Sequence, residues 1–357
     1  GPHTMPEMRL SEYRPVSKLR LPEHRIEKPR FGVVDAHNHL GEVFSYGWSK
    51  RPVRELVAAL DEAGVETIVD LDGGQGESFS EHYAKYAGAY PERFAHVAQL
   101  AYDEWTERPD FGEMEAARFE DSVRRGAVGF KAWKPLGLRA RDPEGTTVPV
   151  DDPRLDPLWA TAARTDTVVI VHVADPIAFF DPLDEHNERW EELSAHPDWH
   201  FWPPRSEAGD EGFASFDEII DQFERVVARH PDTTFIGAHV GCASEDLARV
   251  SGMLDRYPNL YVDISARISE LGRQPYSARE FFLKYADRIL FGTDFGYDPE
   301  MYRVFYRFLE TFDESFDYDL GDYPLQGRWQ IHGIGLPDDV LQKVYADNAR
   351  RILLRDR

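Results

Sequence analysis

The sequence holds a single cysteine, Cys242, among 357 residues. A lone thiol closes no intrachain disulfide, and nothing in the composition points to an oxidising compartment. No apolar run reaches the roughly 18 residues that a membrane-spanning helix needs. Positive charge is scarce, with 41 Lys and Arg against 65 Asp and Glu and a formal net charge of -24. Phosphate backbones and anionic membranes call for clustered Lys and Arg, so nucleic acid and membrane surfaces are disfavoured as partners. The acidic excess selects no substrate and reads first as solubility. Internal repeats and low-complexity segments are also missing. The opening GPHTM lacks the apolar stretch of a signal peptide and reads as a tag remnant, so residues 1–5 are set aside. The expected location is cytoplasmic.

What is present is core material. Apolar residues make up 42% and aromatic residues 13%, which excludes disorder as the main state. Residues 6–30, rich in Pro, Arg and Glu, read as an extended arm, so that residues 1–30 stand apart from a single domain over 31–357. From residue 31 onward, short apolar β-branched runs alternate with amphipathic helical stretches. The expected strands are 31–37, 66–71, 94–100, 127–133, 167–173, 233–239, 259–265 and 288–294, apolar enough to be buried on both faces of a parallel sheet. Helices are expected over 51–64, with Pro52 near the start and Gly64 at the end, over 216–232 and over 336–353. The alternation predicts an α/β fold, a (β/α)8 TIM barrel, with an open doubly wound sheet as the runner-up. Long connections are expected after strands 5 and 8, at 174–215 and 295–335. Their aromatic residues (Trp190, Trp199, Phe201, Trp202, Tyr302, Phe305, Tyr306 and Trp329) suggest lids over a ring-containing substrate, or surfaces of a homodimer.

The strand tips carry the chemistry. Strand 1 runs into Asp35, His37 and His39; strand 4 into Lys131; strand 5 into His172; strand 6 into His239; strand 7 into Asp263 and Arg267; strand 8 into Asp294. In a barrel these ends ring one mouth. Histidines two apart on a strand project to the same side, roughly 6.5–7 Å apart along the chain. One metal at about 2.1 Å from each imidazole can bridge that gap. His172 and Asp294 then complete a set of three imidazoles and one carboxylate. Zn²⁺ is the first choice for such a set, with Mn²⁺ or Fe²⁺ next. A lone histidine at a strand end is more often structural. The ordered series, with glycine beside it in IGAHVG and FGTDFG, is what raises the metal reading.

The motifs DAHNH, GFKAWKPLG, IVHVADP, FIGAHVG, RILFGTDFG and VYADNARRIL, in that order over residues 31–355, resemble the amidohydrolase superfamily. The resemblance is to the amidohydrolase-related branch that includes ACMS decarboxylase, aromatic-acid decarboxylases and some lactone hydrolases. It implies one divalent metal on His37, His39, His172 and Asp294. It leaves His239 off the metal, or weakly on it, as acid/base or substrate polariser. It also implies a cationic Lys131 that faces the substrate or supports the site from behind, rather than a carbamylated lysine bridging two metals.

From those roles, Asp294 can serve as general base and His239 as proton donor or charge stabiliser. Arg267 can bind a substrate carboxylate or form a salt bridge to a neighbouring acid, and Trp133 and Lys134 can wall the pocket or be plain loop residues. Asp263 reads as a structural or supporting group, and Asp35 as a structural residue first, or as one that orients His37 or a group at the barrel bottom. His186, His196 and His200 are expected to be solvated. Metal-dependent hydrolysis of a small, ring-containing or carboxylated substrate is the first reading. Non-oxidative decarboxylation of an aromatic or unsaturated acid is the second. A non-catalytic metal-binding role comes last, because the ligand set is complete.

Overall fold

The computed structural model describes residues 4–322 and 326–355. Strands form where apolar β-branched runs were expected, as β1 Val33–Asn38, β2 Val65–Asp70, β3 Phe94–His96 continuing as Ala98–Gln99, β4 Gly129–Trp133, β5 Val168–His172, β6 Thr234–Gly237, β7 Leu260–Asp263 and β8 Ile289–Leu290. All ladders are parallel, in the order β1 to β2 to the first part of β3, and from its second part through β4 to β8. Backbone bonds join the two sheets. The Val128 amide donates to His96 O at 3.0 Å, and the Ala36 amide donates to Phe291 O at 2.9 Å. Strand β8 thereby returns to β1, and the sheet closes as a TIM barrel rather than an open doubly wound sheet.

The two-residue period of the strands separates two apolar clusters. Val34, Ala36, Val69, Ile170, Ile236 and Leu290 fill the barrel with Ala346, Ala349, Ile352 and Leu353 from the C-terminal segment. Val33, Phe94, Phe130, Val169 and Phe235 belong to the larger cluster that includes the helices. Val168 and Ile170 lie in the barrel-filling cluster, and the alternation puts His172 on their side of β5.

The helix expected over 51–64 spans Val53–Ala63 and ends on Gly64 at φ 76°. A side chain is strained in that left-handed conformation, so glycine ends the helix at low cost. The 216–232 expectation becomes Phe216–Arg229, with the Ser215 hydroxyl capping the Glu218 amide. The C-terminal helix begins at Asp338 and continues in wider turns over Lys343–Asp347 and Arg350–Leu354.

The two long connections differ. Residues 174–215 hold short helical pieces, including Trp190–Ala195 and Arg205–Ala208. The second region contains the helix Pro299–Glu310, whose Tyr302, Phe305 and Tyr306 are fully buried against the barrel. Those three are core residues, not lid residues. The N-terminal arm lies largely exposed, including its one helical turn at Leu10–Glu12, and it is tied down by Arg25 to Glu300 and His24 to Asp313. No helix among the described residues is long and apolar enough to cross a membrane.

Candidate metal centre and substrate cleft

Strand β1 delivers His37 in a fully buried setting, held by the carboxylate of Asp35. Asp35 accepts from the His37 amide at 3.2 Å and from the Thr293 amide and hydroxyl at 3.1 and 2.8 Å. It thereby ties the strand end bearing His37 to the one bearing Asp294. Gly292 suits the close approach there, because a Cβ at that position would lie 3.0 Å from His37 Cβ. Past β8 the chain turns left-handed at Asp294, with φ 63°, and the Asp294 amide donates to His37 O at 3.0 Å. After β6, His239, Val240, Gly241 and Cys242 all have φ between 56° and 66°. Left-handed backbone at β-branched or bulky residues is costly and concentrates at functional sites.

Each imidazole is oriented by an oxygen acceptor. His37 Nδ1 donates to Asp263 Oδ2 at 2.9 Å, His39 Nδ1 to Asp72 Oδ1 at 2.8 Å, and His172 Nε2 to Asp175 Oδ1 at 3.0 Å. His239 Nδ1 donates to Ser265 O at 2.7 Å. Asp263 is the hub of this support, since its other oxygen accepts the amides of His239 and Ser265 at 3.1 and 3.0 Å. Burial alone would raise the Asp263 carboxyl, but His37 outweighs it, and Asp263 stays ionised. A histidine whose second nitrogen is held by a carboxylate or carbonyl is the usual arrangement behind a metal ligand.

The facing nitrogens carry the decisive detail. His37 Nε2 and His172 Nδ1 are buried and have no hydrogen-bond partner. Burial lowers the His172 imidazole to about 3, against the pull of Asp175, and it lowers His239 well below its ordinary value. Both rings are therefore neutral and present a lone pair. Buried polar atoms are seldom left unpaired, and a lone pair of this kind is what a divalent cation takes up. His37, His239 and Asp294 bring their ligand atoms within 4.8 Å of one another. His39 pairs with the same carboxylate, Nε2 to Asp294 Oδ1 at 2.9 Å. Burial disfavours its charge, yet Asp294 and Asp72 more than compensate, and the His39 pKa rises to about 9. The residues thus fit a divalent metal, which would take the place of the His39 proton.

The sequence-derived candidates fall in one place. His39, Lys131, Trp133, His172, His239, Arg267 and Asp294 all line a single cleft of about 920 Å³. The geometry draws His239 nearer to Asp294 than expected, with Nε2 to Oδ2 at 3.8 Å, and leaves His172 outside that closest group. Among the described residues, buried Lys131 makes no hydrogen bond or ion pair, and buried Arg267 makes one side-chain bond, to Ala266 O at 2.8 Å. Burial lowers the pKa of both cations. Trp133 donates its amide to the Tyr102 hydroxyl and sets its ring edge-on to Phe44. Lys134 pairs with Asp175 at 2.9 Å.

Of the aromatic lid residues expected, Trp199 and Phe201 line the cleft, joined by Phe44, Phe179 and Phe295. His196, expected in solvent, stacks on Trp199 at 3.8 Å and lines the cleft, whereas His186 is exposed. Sequence reasoning missed Asp72 and Asp175. The three-residue step from His172 to Asp175 in HVADP was the one local signal for the latter.

The amidohydrolase family model matches residues 32–355. No curated protein matches the sequence. Among solved structures, a 2,6-dihydroxybenzoate decarboxylase complexed with 2,6-dihydroxybenzoate is similar over 91% of this chain and 99% of its own, at 17% identity and TM-score 0.55. A dihydroxybenzoic acid decarboxylase from Polaromonas sp. JS666, with bound manganese and 2-nitroresorcinol, covers 92% and 98% at 16% identity and TM-score 0.57. A 5-carboxyvanillate decarboxylase from Novosphingobium aromaticivorans, complexed with manganese, covers 91% and 96% at 13% identity and TM-score 0.50. At these identities the likeness carries the fold.

Proposed function

The chain belongs to the amidohydrolase family, and from that premise we propose that it is a divalent-metal-dependent, non-oxidative decarboxylase of an aromatic carboxylic acid. The observation that carries this reading is the pair of buried cations, Lys131 and Arg267, whose donors are largely unspent in a cleft walled by aromatic rings. Such cations cost energy unless an anion meets them. A carboxylate accepts both, and the rings accept a flat apolar body. Hydrolysis came first on the sequence alone. The decarboxylases among similar folds reverse that order, because the same residues serve either reaction and only the substrate chemistry separates them.

One divalent ion is proposed on His37, His39, His172 and Asp294, with Mn²⁺ and Zn²⁺ both suited to an imidazole and carboxylate set. When bound, it supplies a Lewis acid that holds substrate oxygens and withdraws negative charge. The chain's own residues do the rest. Lys131 and Arg267 bind and orient the carboxylate. Phe44, Trp133 and Trp199 exclude water from the ring. His239 and Asp294 relay to the ring carbon a proton that comes from solvent or from a substrate hydroxyl, since neither holds a transferable proton at rest. The bond to the carboxylate then breaks, its electron pair passes back into the ring to restore the aromatic system, and CO₂ leaves.

The test is a panel of hydroxybenzoates offered to metal-loaded protein. CO₂ release with a decarboxylated product is the expected result. Incorporation of ¹⁸O from water into a product, without CO₂, would overturn it in favour of a hydrolase. His239→Asn separates two roles. Metal retained with turnover lost keeps His239 as the proton-handling group, and metal lost makes it a ligand.

A further inference from the structure

A second cluster stands behind the mouth of the barrel. Asp70, the last residue of β2, accepts at one oxygen from His82 Nε2 at 2.6 Å and His96 Nδ1 at 2.7 Å. Asp70 and His96 are fully buried, and the His82 side chain is 18% exposed. The three ligand atoms lie within 4.8 Å of one another, so a metal is the first reading to weigh. The far side of His96 argues against it. His96 Nε2 accepts the Ala87 amide proton at 3.3 Å, which requires a lone pair on Nε2 and the ring proton on Nδ1. A metal on Nδ1 would move that proton to Nε2, where it would face the Ala87 N–H. Both imidazoles have a ready acceptor in Asp70, and the carboxylate has its donors.

The other oxygen of Asp70 faces the candidate metal centre. It accepts the Leu40 amide at 2.8 Å and the Asp72 amide at 3.1 Å. Asp72 in turn holds His39 Nδ1 at 2.8 Å and the Gly41 amide at 2.9 Å. The Leu71 amide adds a bond to Asn38 O at 3.0 Å. The segment that carries His39 is therefore strapped to the end of β2, and Asp70 anchors both sides of the strap. Burial would push the Asp70 carboxyl up, but the two imidazoles that bond it bring it below the ordinary carboxylate range, so it stays an ionised acceptor.

We propose that His82, His96 and Asp70 are positioning residues that fix the ring of His39 through Asp72, from outside the cleft and without binding metal themselves. This rests on the reading of His39 as a metal ligand. Asp70→Asn keeps the size of the side chain and gives up its charge. Titration with Mn²⁺ against a chelating indicator should show affinity weakened by about tenfold or more, as for other groups that orient metal-bound histidines. His82→Ala should weaken it less, and His82→Gln, whose amide can donate to Asp70, should restore it. Side-chain ¹⁵N spectra of the metal-free protein supply a readout that needs no metal. The His39 Nδ1 proton should be protected in the parent and exchange-broadened in Asp70→Asn and His82→Ala.

Folded variants with unchanged Mn²⁺ affinity and an unchanged His39 signal overturn the proposal. So does a second equivalent of Mn²⁺ that His82→Ala removes and His37→Ala leaves. If the parent protein binds no Mn²⁺ while the variants still free the His39 ring, the metal reading falls and the positioning stands. Should Asp70→Asn fail to fold, the half-buried His82 pair of variants carries the test alone.

Discussion

Among the described residues, the barrel holds two groups of the same make-up, two imidazoles and a carboxylate with ligand atoms inside 4.8 Å, and they are built for different ends. In Asp70, His82 and His96, the carboxylate accepts from both rings, and the far nitrogen of His96 takes a backbone amide. In His37, His239 and Asp294, His37 Nε2 has no hydrogen-bond partner, and two of the three residues sit in left-handed backbone. The first group is closed off behind the strap that bears His39. The second opens to a cleft of about 920 Å³ through His239 and Asp294. Residue type and proximity do not tell a working site from a support. Unspent lone pairs and retained strain do, because a structural cluster has no reason to keep either.

The largest expected effect is at the open group. Asp294→Asn or His37→Ala should lower turnover by about 10³-fold or more and reduce bound metal, the scale of losing the group that assembles the reacting centre. Full activity with unchanged metal content would remove the distinction between the two groups. At the closed group a stability loss should accompany the weakened metal affinity. His96→Ala deletes a fully buried ring and leaves Asp70 short of a donor, which should cost about 2–4 kcal/mol in chemical denaturation. A smaller effect tests the cleft. Arg267→Gln should raise KM for a carboxylated substrate by about ten- to a hundredfold, the worth of one charged hydrogen bond, and change kcat less. Equal loss for an uncarboxylated analogue would show that Arg267 does not read the carboxylate.

Much of this was legible in the sequence because strand tips converge in a closed barrel. The apolar runs fixed the parity that brings His172 inward, and the closure of β8 onto β1 brings together the strand ends bearing His37 and Asp294. What stayed hidden depends on paths the pattern does not encode. Strand 8 was expected over 288–294, yet only Ile289–Leu290 is strand, since Gly292 must pass close to His37 and Asp294 turns left-handed. The four left-handed residues from His239 to Cys242 redirect His239 toward Asp294, and no local composition announces them. Asp72 supports His39 from a different loop, which only the pairing of β1 with β2 brings within reach. The burial of Tyr302, Phe305 and Tyr306 follows from which face of their helix meets the barrel, and aromatic content alone does not give the face.

The smallest effect sharpens the comparison through pH. In the metal-free protein, Asp294 and Asp72 raise His39 to about 9 in spite of burial, so near neutrality the ring is charged and both its nitrogens donate. A raised folded pKa contributes stability that is fully present below the unfolded value of about 6.5 and is lost as pH rises through about 9. The metal needs the same nitrogen without its proton. Metal binding near pH 7 should therefore release a proton from His39, and apparent affinity should climb by about tenfold per pH unit until it levels off near pH 9. Calorimetric titration of Mn²⁺ in buffers of different ionisation enthalpy would count the released protons. The closed group should contribute none, because Asp70 keeps its two donors whether or not metal is present. A flat affinity profile between pH 7 and 9 would show that His39 is not exchanged for metal, and would move the ligand set to His37, His172, His239 and Asp294.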